Sequence, residues 1–518
     1  MKKTKSLSIR NKTGGCVIFS VVYWFIACYF FLIQLSLSSL AFWTALDVYL
    51  FVIWAVLHHW PDKKKAVPAD SKAVKRLGYV TLAAFVIPAV LFVFNTKIFR
   101  AGSYAAVVEE PREAKFEDTV PKETEQFDKL ALIDTDTSAV IGERELGSLT
   151  DLVSQYEIDQ SEYATINIDG YPAKVAPLEY ASFMRWLSNY KTGTPGYVKI
   201  NPSNGDAELI RLKEGMKYMP SARFSKDLRR HLYFFNPTQK YGSYFFEVDE
   251  EGNPYWTVPV ISKRNFVLNE KITGLVTVNA ITGETKQYAL QDVPSWVDIV
   301  FNGDYLTSRY DDHWKFRNGF WNAITTKKGC LETTSTFYYD EDGDKVYNGN
   351  DYGYITIDDD IWIYTGVTSA ANDASNVGML MVNERTGEGK YFPIAGADEG
   401  SAMGAAEGEL QQYGYKASFP SLININDKPV YIMVMTDANH IVKNYAMVDM
   451  QDYSNVVTGK TRSDVITAYE KMMGSDTSEE EKKVESRKMT GYEVQSANGK
   501  TIITVTLEDG SKVKYETE

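Results

Sequence analysis

The stretch Gly274-Leu-Val-Thr-Val-Asn-Ala-Ile-Thr-Gly-Glu-Thr-Lys-Gln-Tyr-Ala-Leu290 decides the fold class, because its pattern returns twice elsewhere in the chain. One copy runs from Gly378 to Ile394 through Val382-Asn-Glu-Arg-Thr-Gly-Glu388, and a looser one from Gly196 to Leu212 through Ile200-Asn-Pro-Ser-Asn-Gly-Asp206. Each reads glycine, a β-rich run, Asn, two free positions, Thr or Asn, Gly, an acid, and a second alternating run. Such a pattern predicts a hairpin whose turn needs positive φ at Gly205, Gly283 and Gly387, flanked by half-buried strands. It identifies architecture and no chemistry.

Further alternating pairs precede these hairpins at 163–175, 244–258 and 354–364, and a fourth pair occupies 421–434. The expected unit is therefore strand, turn, strand, connection, strand, turn, strand, present near 163–215, 244–300, 351–404 and 415–475. The spacings between the hairpin-opening glycines, 78 and 104 residues, are unequal and argue against uniform propeller blades. Short helices are expected at 178–188, 293–301, 402–413 and 463–473, the last capped at Ser463-Asp464. Helices between antiparallel hairpins predict an α+β class, an array of hairpin and helix modules.

Charge divides the 518 residues into two parts. Residues 1–100 hold 13 Lys and Arg against 3 acids, whereas the remainder holds 42 basic and 65 acidic residues. An acidic body without a basic patch disfavours nucleic acid as a partner. The cationic part is apolar, and about 20 residues suffice to cross the hydrocarbon of a bilayer. Three transmembrane helices are expected, near 16–35, 39–59 and 78–99, making the lipid bilayer a partner. Pro88 is tolerable in the third. Lys2, Lys3, Lys5, Arg10 and Lys12, with the basic loop 61–76, place the N-terminus in the cytoplasm and the body outside. Asp47 is the one acid within the spans, and it reads as an interfacial side chain or as an ion site. Of the three cysteines, Cys16 and Cys28 lie in the first span and Cys330 stands alone in the body, which suits a Gram-positive envelope rather than a disulfide-rich secreted domain.

The domain reading is a membrane anchor over 1–100, an acidic stalk over 101–129, two pairs of modules over 130–300 and 301–475, and a charged linker with a β meander over 476–518. A strand at Leu130-Ala-Leu-Ile-Asp-Thr-Asp-Thr-Ser138 would end in Asp134 and Asp136, which read either as metal ligands or as a hydrogen-bonded turn.

The hydrophobic-Val-Asn-x-x-Thr-Gly-Glu hairpins at 274–288 and 378–392 resemble the strand pair of the PepSY domain, a small extracytoplasmic bacterial module of helix and antiparallel sheet. That module usually has Asp where Asn279 and Asn383 stand. The resemblance implies a non-catalytic binding role beside envelope enzymes or sensors, and the whole chain resembles membrane-anchored proteins of Gram-positive bacteria.

No nucleophile elbow, zinc helix or phosphate loop occurs, and His231, His313 and His440 lack metal-ligand spacing. Ser188-Asn-Tyr-Lys191 and Lys191-Thr-Gly193 match two penicillin-binding motifs, but they would have to share one lysine. Asp340–Asp344 has calcium-loop composition without the glycine and acid spacing that an EF-hand requires. Tyr255, Trp256, Trp362 and Tyr364 are the candidate binding aromatics, lining a groove or filling the core. The sequence thus favours a non-enzymatic envelope protein that binds a protein, peptide or wall component and has no cofactor. The alternatives are an envelope hydrolase working through a carboxylate pair, or an accessory subunit for transport or signalling.

Overall fold

The computed structural model describes the chain except residues 1–8, 60–71, 121, 123–128, 265, 267, 336, 340–344, 348–351, 371, 475–488, 498–499, 508–511 and 518. The fold mixes helix and sheet, 37% and 31% of residues. Residues Met1–Lys460 form one compact unit and Thr461–Glu518 another.

The first unit opens with helices α1 (Ile9–Tyr29), α2 (Leu40–His59) and α3 (Lys72–Phe94), followed by α4 (Lys97–Ala105). Both α2 and α3 are long and apolar enough to cross a membrane, whereas the apolar part of α1, Gly15–Tyr29, is shorter. The expected first span, 16–35, is too long at its end: the helix stops at Tyr29 and Leu32 takes φ +49°. The expected third span, 78–99, breaks after Phe94, because Thr96 adopts an extended conformation and starts α4. The side chain of Trp54 packs where a Cβ on Gly78 would sit, so α2 and α3 touch closely.

Among the described residues, four mainly antiparallel sheets and two short strand pairs make up the body. The first orders Ala164–Ile168, Tyr171–Pro177, Thr194–Ile200 and Ala207–Met216 as successive neighbours. In the second, Phe245–Val248 and Lys240–Tyr241 both pair with Pro254–Arg264, and Asn269–Asn279 and Thr285–Ala289 follow. The third is Gly353–Ile357, Asp360–Ser369, Asn372–Asn383 and Gly389–Phe392, widened by Leu331–Thr333 and, in parallel, by Arg112–Glu113. Lys416–Ala417 and Ser421–Ile425, both on Lys428–Thr436, form the fourth with Val442–Asp449 and Val456–Gly459. The opening strands meet in the interior: Ala164–Ile168 lies against Phe245–Val248, and Gly353–Ile357 against Ser421–Ile425. One apolar cluster joins the first two sheets through Val198, Ile200, Trp256 and Val276, and another joins the last two through Met379, Met381, Tyr431 and Met433.

Several segments depart from the expectations. Of the expected stalk 101–129, residues 101–120 are packed down: α4 lies on the helix Gly303–Phe316, and Phe116 and Val120 are buried in the cluster of the third and fourth sheets. Burying one such phenylalanine contributes about 1.5–3 kcal/mol, enough to hold a short segment down. Residues 130–138 are not a strand, because Asp134 accepts from the Thr137 amide at 2.8 Å and so caps the helix Thr135–Ser148. No helix occupies 293–301; a long one starts at Gly303 and presses Leu306, Tyr310 and Trp314 onto the third sheet. The expected helix 178–188 begins only at Phe183, since Glu179–Tyr180 is a strand, and the helix 402–413 is Glu399–Glu409 with a 3-10 turn at Gln411–Tyr413. The calcium-like segment Asp340–Asp344 lies outside the described residues.

The second unit carries the helix Arg462–Met472 and an antiparallel run of Met489–Ala497, Lys500–Leu507 and Lys512–Thr517. Thr461, rather than Ser463, caps this helix in a reciprocal capping box with Asp464, so the break between units falls at 460 and not 475.

Gly205, Gly283 and Gly387 have φ of +84°, +78° and +75°. The three turns differ in their surroundings. A Cβ at Gly283 would lie 2.4 Å from the Tyr218 ring, one at Gly205 3.0 Å from Ile133, and one at Gly387 3.4 Å from Phe301. A β-branched residue at either of the last two hairpins therefore costs roughly 1–2 kcal/mol for its backbone alone. At Gly283 the aromatic clash adds to that. In thermal melts of the full chain in detergent, Gly283→Val is expected to lower Tm more than Gly387→Val, and Gly387→Asn to be milder than Gly387→Val. Equal, negligible shifts for all three would refute this account of the turns.

Candidate functional site

A cavity of about 980 Å³ lies under the loop that joins α1 to α2. Leu32 and Gln34 of that loop form one wall, and Glu162, Arg229, Tyr233, Lys240, Tyr241, Tyr244, Glu270, Asp304 and Tyr305 supply much of the rest. The loop is tied down by its backbone. The amide of Leu35 donates to the Pro237 carbonyl at 2.8 Å, the Tyr233 hydroxyl to the Ile33 carbonyl at 3.0 Å, and Arg230 Nε to the Tyr29 carbonyl at 3.1 Å. Gln34 Nε2 adds a bond to the Thr238 carbonyl at 3.0 Å. Behind them the helix Leu228–Phe235 is capped by Asp227, whose side chain accepts from the Arg230 amide at 2.8 Å. His231 anchors it to the hairpin turn, its Nε2 lying 2.9 Å from the Gly283 carbonyl, and burial lowers the pKa of its ring.

The lining is polar but balanced in charge. Lys240 is ion-paired with Glu270. Arg229 lies over the Tyr244 ring and donates to its hydroxyl at 3.2 Å. Asp304 accepts from the Tyr352 hydroxyl at 3.3 Å. Burial, reinforced by the charges of Glu179 and Asp159, pushes the Glu162 carboxyl up to about 9, so it is neutral at pH 7. Two cations, Arg229 and Lys240, then face two anions, Glu270 and Asp304. Glu162 Oε2 and the Tyr241 hydroxyl, on two lining residues, are buried without a hydrogen-bond partner, and burial pushes the Tyr241 hydroxyl up to about 12. Such a chamber suits an uncharged or zwitterionic group rich in hydrogen-bonding atoms, because unpaired buried polar atoms are costly until a partner arrives.

The residues singled out from the sequence lie elsewhere. Trp256, Trp362 and Tyr364 belong to the core and line no groove: the Trp256 indole donates to the Tyr218 carbonyl at 2.9 Å and the Tyr364 hydroxyl to the Pro420 carbonyl at 2.5 Å. Tyr255 is half-buried with its ring 4.8 Å from that of Trp296. Asp134 and Asp136 point to separate partners, the Thr137 amide and the Gln160 side chain. Among the described residues no three His, Cys, Asp or Glu side chains gather as metal ligands. His231 and His313 are far apart in contact terms, the latter between the Ala105 carbonyl and Glu110. Cys330 is buried, 1% exposed, and all three thiols are free. Asp47 has an oxygen buried within the helices and without a partner. The cavity was missed because its walls come from seven separated stretches; the one local signal was the basic and aromatic run Arg229-Arg-His-Leu-Tyr-Phe-Phe235.

No protein-family model matches the chain, and no curated protein does. Among solved structures, a point mutant of Synechocystis apocarotenoid oxygenase is 8% identical over 61% of this chain, which spans 64% of that enzyme, with a TM-score of 0.17. A polysaccharide lyase is 9% identical over 70% of this chain and 77% of its own, with a TM-score of 0.14.

Glu162 is not the only carboxyl that burial raises. Glu179, Glu247 and Glu399 are each pushed up to about 7, first by burial. An unfolded chain ionises these groups near 4.5, so the stability they contribute is fully present below that pH and is lost as pH rises through 7 and, for Glu162, about 9. The melting temperature of the full chain is expected to fall steadily from pH 5 to pH 9. Glu162→Gln should remove the part of the fall between pH 7 and 9, measured by scanning fluorimetry; an unchanged slope would contradict the neutral assignment.

Proposed function

We propose that the chain is a multi-pass, non-enzymatic protein of the cell envelope, with α1, α2 and α3 crossing the bilayer, the N-terminus inside and the body outside. On this reading the cavity holds an uncharged, hydroxyl- and amide-rich component of the wall, a peptide or a saccharide. What supports the topology is that the α1–α2 loop and the α3–α4 junction are both bonded to one body, the latter through Lys97 Nζ and Asp312 at 2.5 Å. Loop and body then share a side, and the basic N-terminus takes the other. The four sheets, each an antiparallel succession of neighbouring strands, support a reading as tandem modules whose hairpins are PepSY-like.

The observation that carries the binding role is the charge-balanced cavity with its two unpartnered polar groups, Glu162 and Tyr241. A second reading, a subunit of a transport or signalling complex, rests on the unpartnered Asp47 oxygen.

Isothermal titration calorimetry of the full chain in detergent, against soluble glycan and peptide fragments of the wall, tests the main reading. At least one fragment class is expected to bind, and Arg229→Ala to weaken it about tenfold, about 1.4 kcal/mol. No heat with any fragment, or undiminished affinity in the variant, would overturn the assignment.

A further inference from the structure

The helix Phe183–Asn189, the turn at Phe224 and the end of the helix Leu228–Phe235 form one apolar face that no other described residue covers. Phe183, Met184, Leu187, Phe224, Phe234 and Phe235 are all exposed, with Met184 64% and Phe224 56% accessible. Exposed apolar area on this scale marks an interaction surface. Phe224 is held outward at φ +55°, a conformation costly for a bulky residue.

The face is continuous with the end of α1. The Tyr29 ring lies 6.1 Å from Phe234 and under the Arg230 guanidinium at 4.9 Å. Arg230 Nη1 in turn donates to the Phe224 carbonyl at 2.9 Å, and the Phe224 ring lies 5.7 Å from Trp186, which contacts Phe183 at the same distance. An unbroken path thus leads from an apolar helix end to the whole face. Its charge is opposite to that of the body. Arg185, Lys191 and Arg223 are exposed around it and Lys226 is half-buried, while residues 183–191 hold no acid and Asp227 is spent on a helix cap. Aromatic and aliphatic side chains ringed by Lys and Arg are what an interfacial membrane segment presents to anionic headgroups.

We infer that this face is a second membrane contact, which dips into the outer leaflet beside α1 and seats the cavity mouth at headgroup level. The inference rests on the membrane reading of α1–α3. A partner protein or a second copy of the chain would have no reason to adjoin the α1 end in this way, whereas a bilayer that contains α1 must.

The test uses the full chain in vesicles containing anionic phosphatidylglycerol, with Cys16→Ser and Cys28→Ser and the buried Cys330 retained. Single probes at Leu187→Cys, Phe235→Cys, Val48→Cys on α2 and Ser454→Cys carry an environment-sensitive fluorophore, and the parent without an added cysteine sets the background. Lipids bearing a nitroxide near the headgroup are expected to quench positions 187 and 235, and iodide in the water to quench only 454. Lipid quenching at 48 alone, with 187 and 235 open to iodide or shielded from both agents, would overturn the interfacial contact while sparing the anchor. Absence of lipid quenching at all four positions would overturn both.

Discussion

The structure depends on a set of buried carboxyls that face little water. Glu247, on the opening strand of the second sheet, accepts from the Asp298 amide at 2.7 Å and from the Thr257 hydroxyl. Asp298 accepts from the Asn167 amide of the first sheet at 2.6 Å, and the Glu384 carbonyl, in a turn of the third, takes the amides of Val300 and Phe301. The connection 297–301 is therefore pinned to three sheets at once. Each bond contributes only about 0.5–1.5 kcal/mol, but an orphaned buried group costs about 1–3 kcal/mol, so the members stand or fall together. Burial and mutual repulsion raise Asp298 and Glu384 well above the ordinary carboxyl range, which lets neighbouring acids share one interior.

The same constraint explains why no helix forms at 293–301 although its pattern allows one. Asp298, Ile299, Val300 and Phe301 spend their amides on Glu247 and Glu384, and an α-helix would claim those donors for itself. Local propensity is a weak term against several tertiary hydrogen bonds in a dry interior. The competition at Asp134 runs the other way: apolar Leu130–Ile133 reads as a strand, but Asp-Thr-Asp-Thr-Ser is also an N-cap sequence, and the cap wins.

Legibility followed the range of the interaction that fixes each feature. Gly205, Gly283 and Gly387 answer to backbone conformation, a property of a few adjacent residues, and could be picked out from spacing alone. The apolar lengths of α2 and α3 are equally local, whereas the stop at Tyr29 needed the body, because Arg230, Tyr233 and Pro237 capture the residues that follow. Aromatics on alternating strands gave no way to tell core from groove: Trp256 and Tyr364 occupy strand positions indistinguishable in sequence from open ones, and which face is covered is decided by a neighbouring sheet. Phe116 illustrates the same point in an acidic stretch, where one buried ring converts an apparent spacer into part of the core.

The two parts of the chain, opposite in charge, meet at two places. Lys97 of α4 pairs with Asp312 at 2.5 Å, so the cationic anchor engages an acid of the body on one side. On the other, the body turns basic around Arg223 and Arg230 just where it meets the end of α1. On the proposed topology a body fixed at these two points beside a membrane would not tumble, and the cavity wall made by Leu32 and Gln34 is built from the loop that would lie in the headgroup layer. On the proposed reading, a ligand entering there would gain from reduced dimensionality, since a molecule held at the membrane or in the wall above it would meet the cavity at a raised effective concentration. Modest contacts inside a charge-neutral chamber would then suffice for the proposed ligand, in keeping with a lining that has hydrogen-bonding capacity but no strong field.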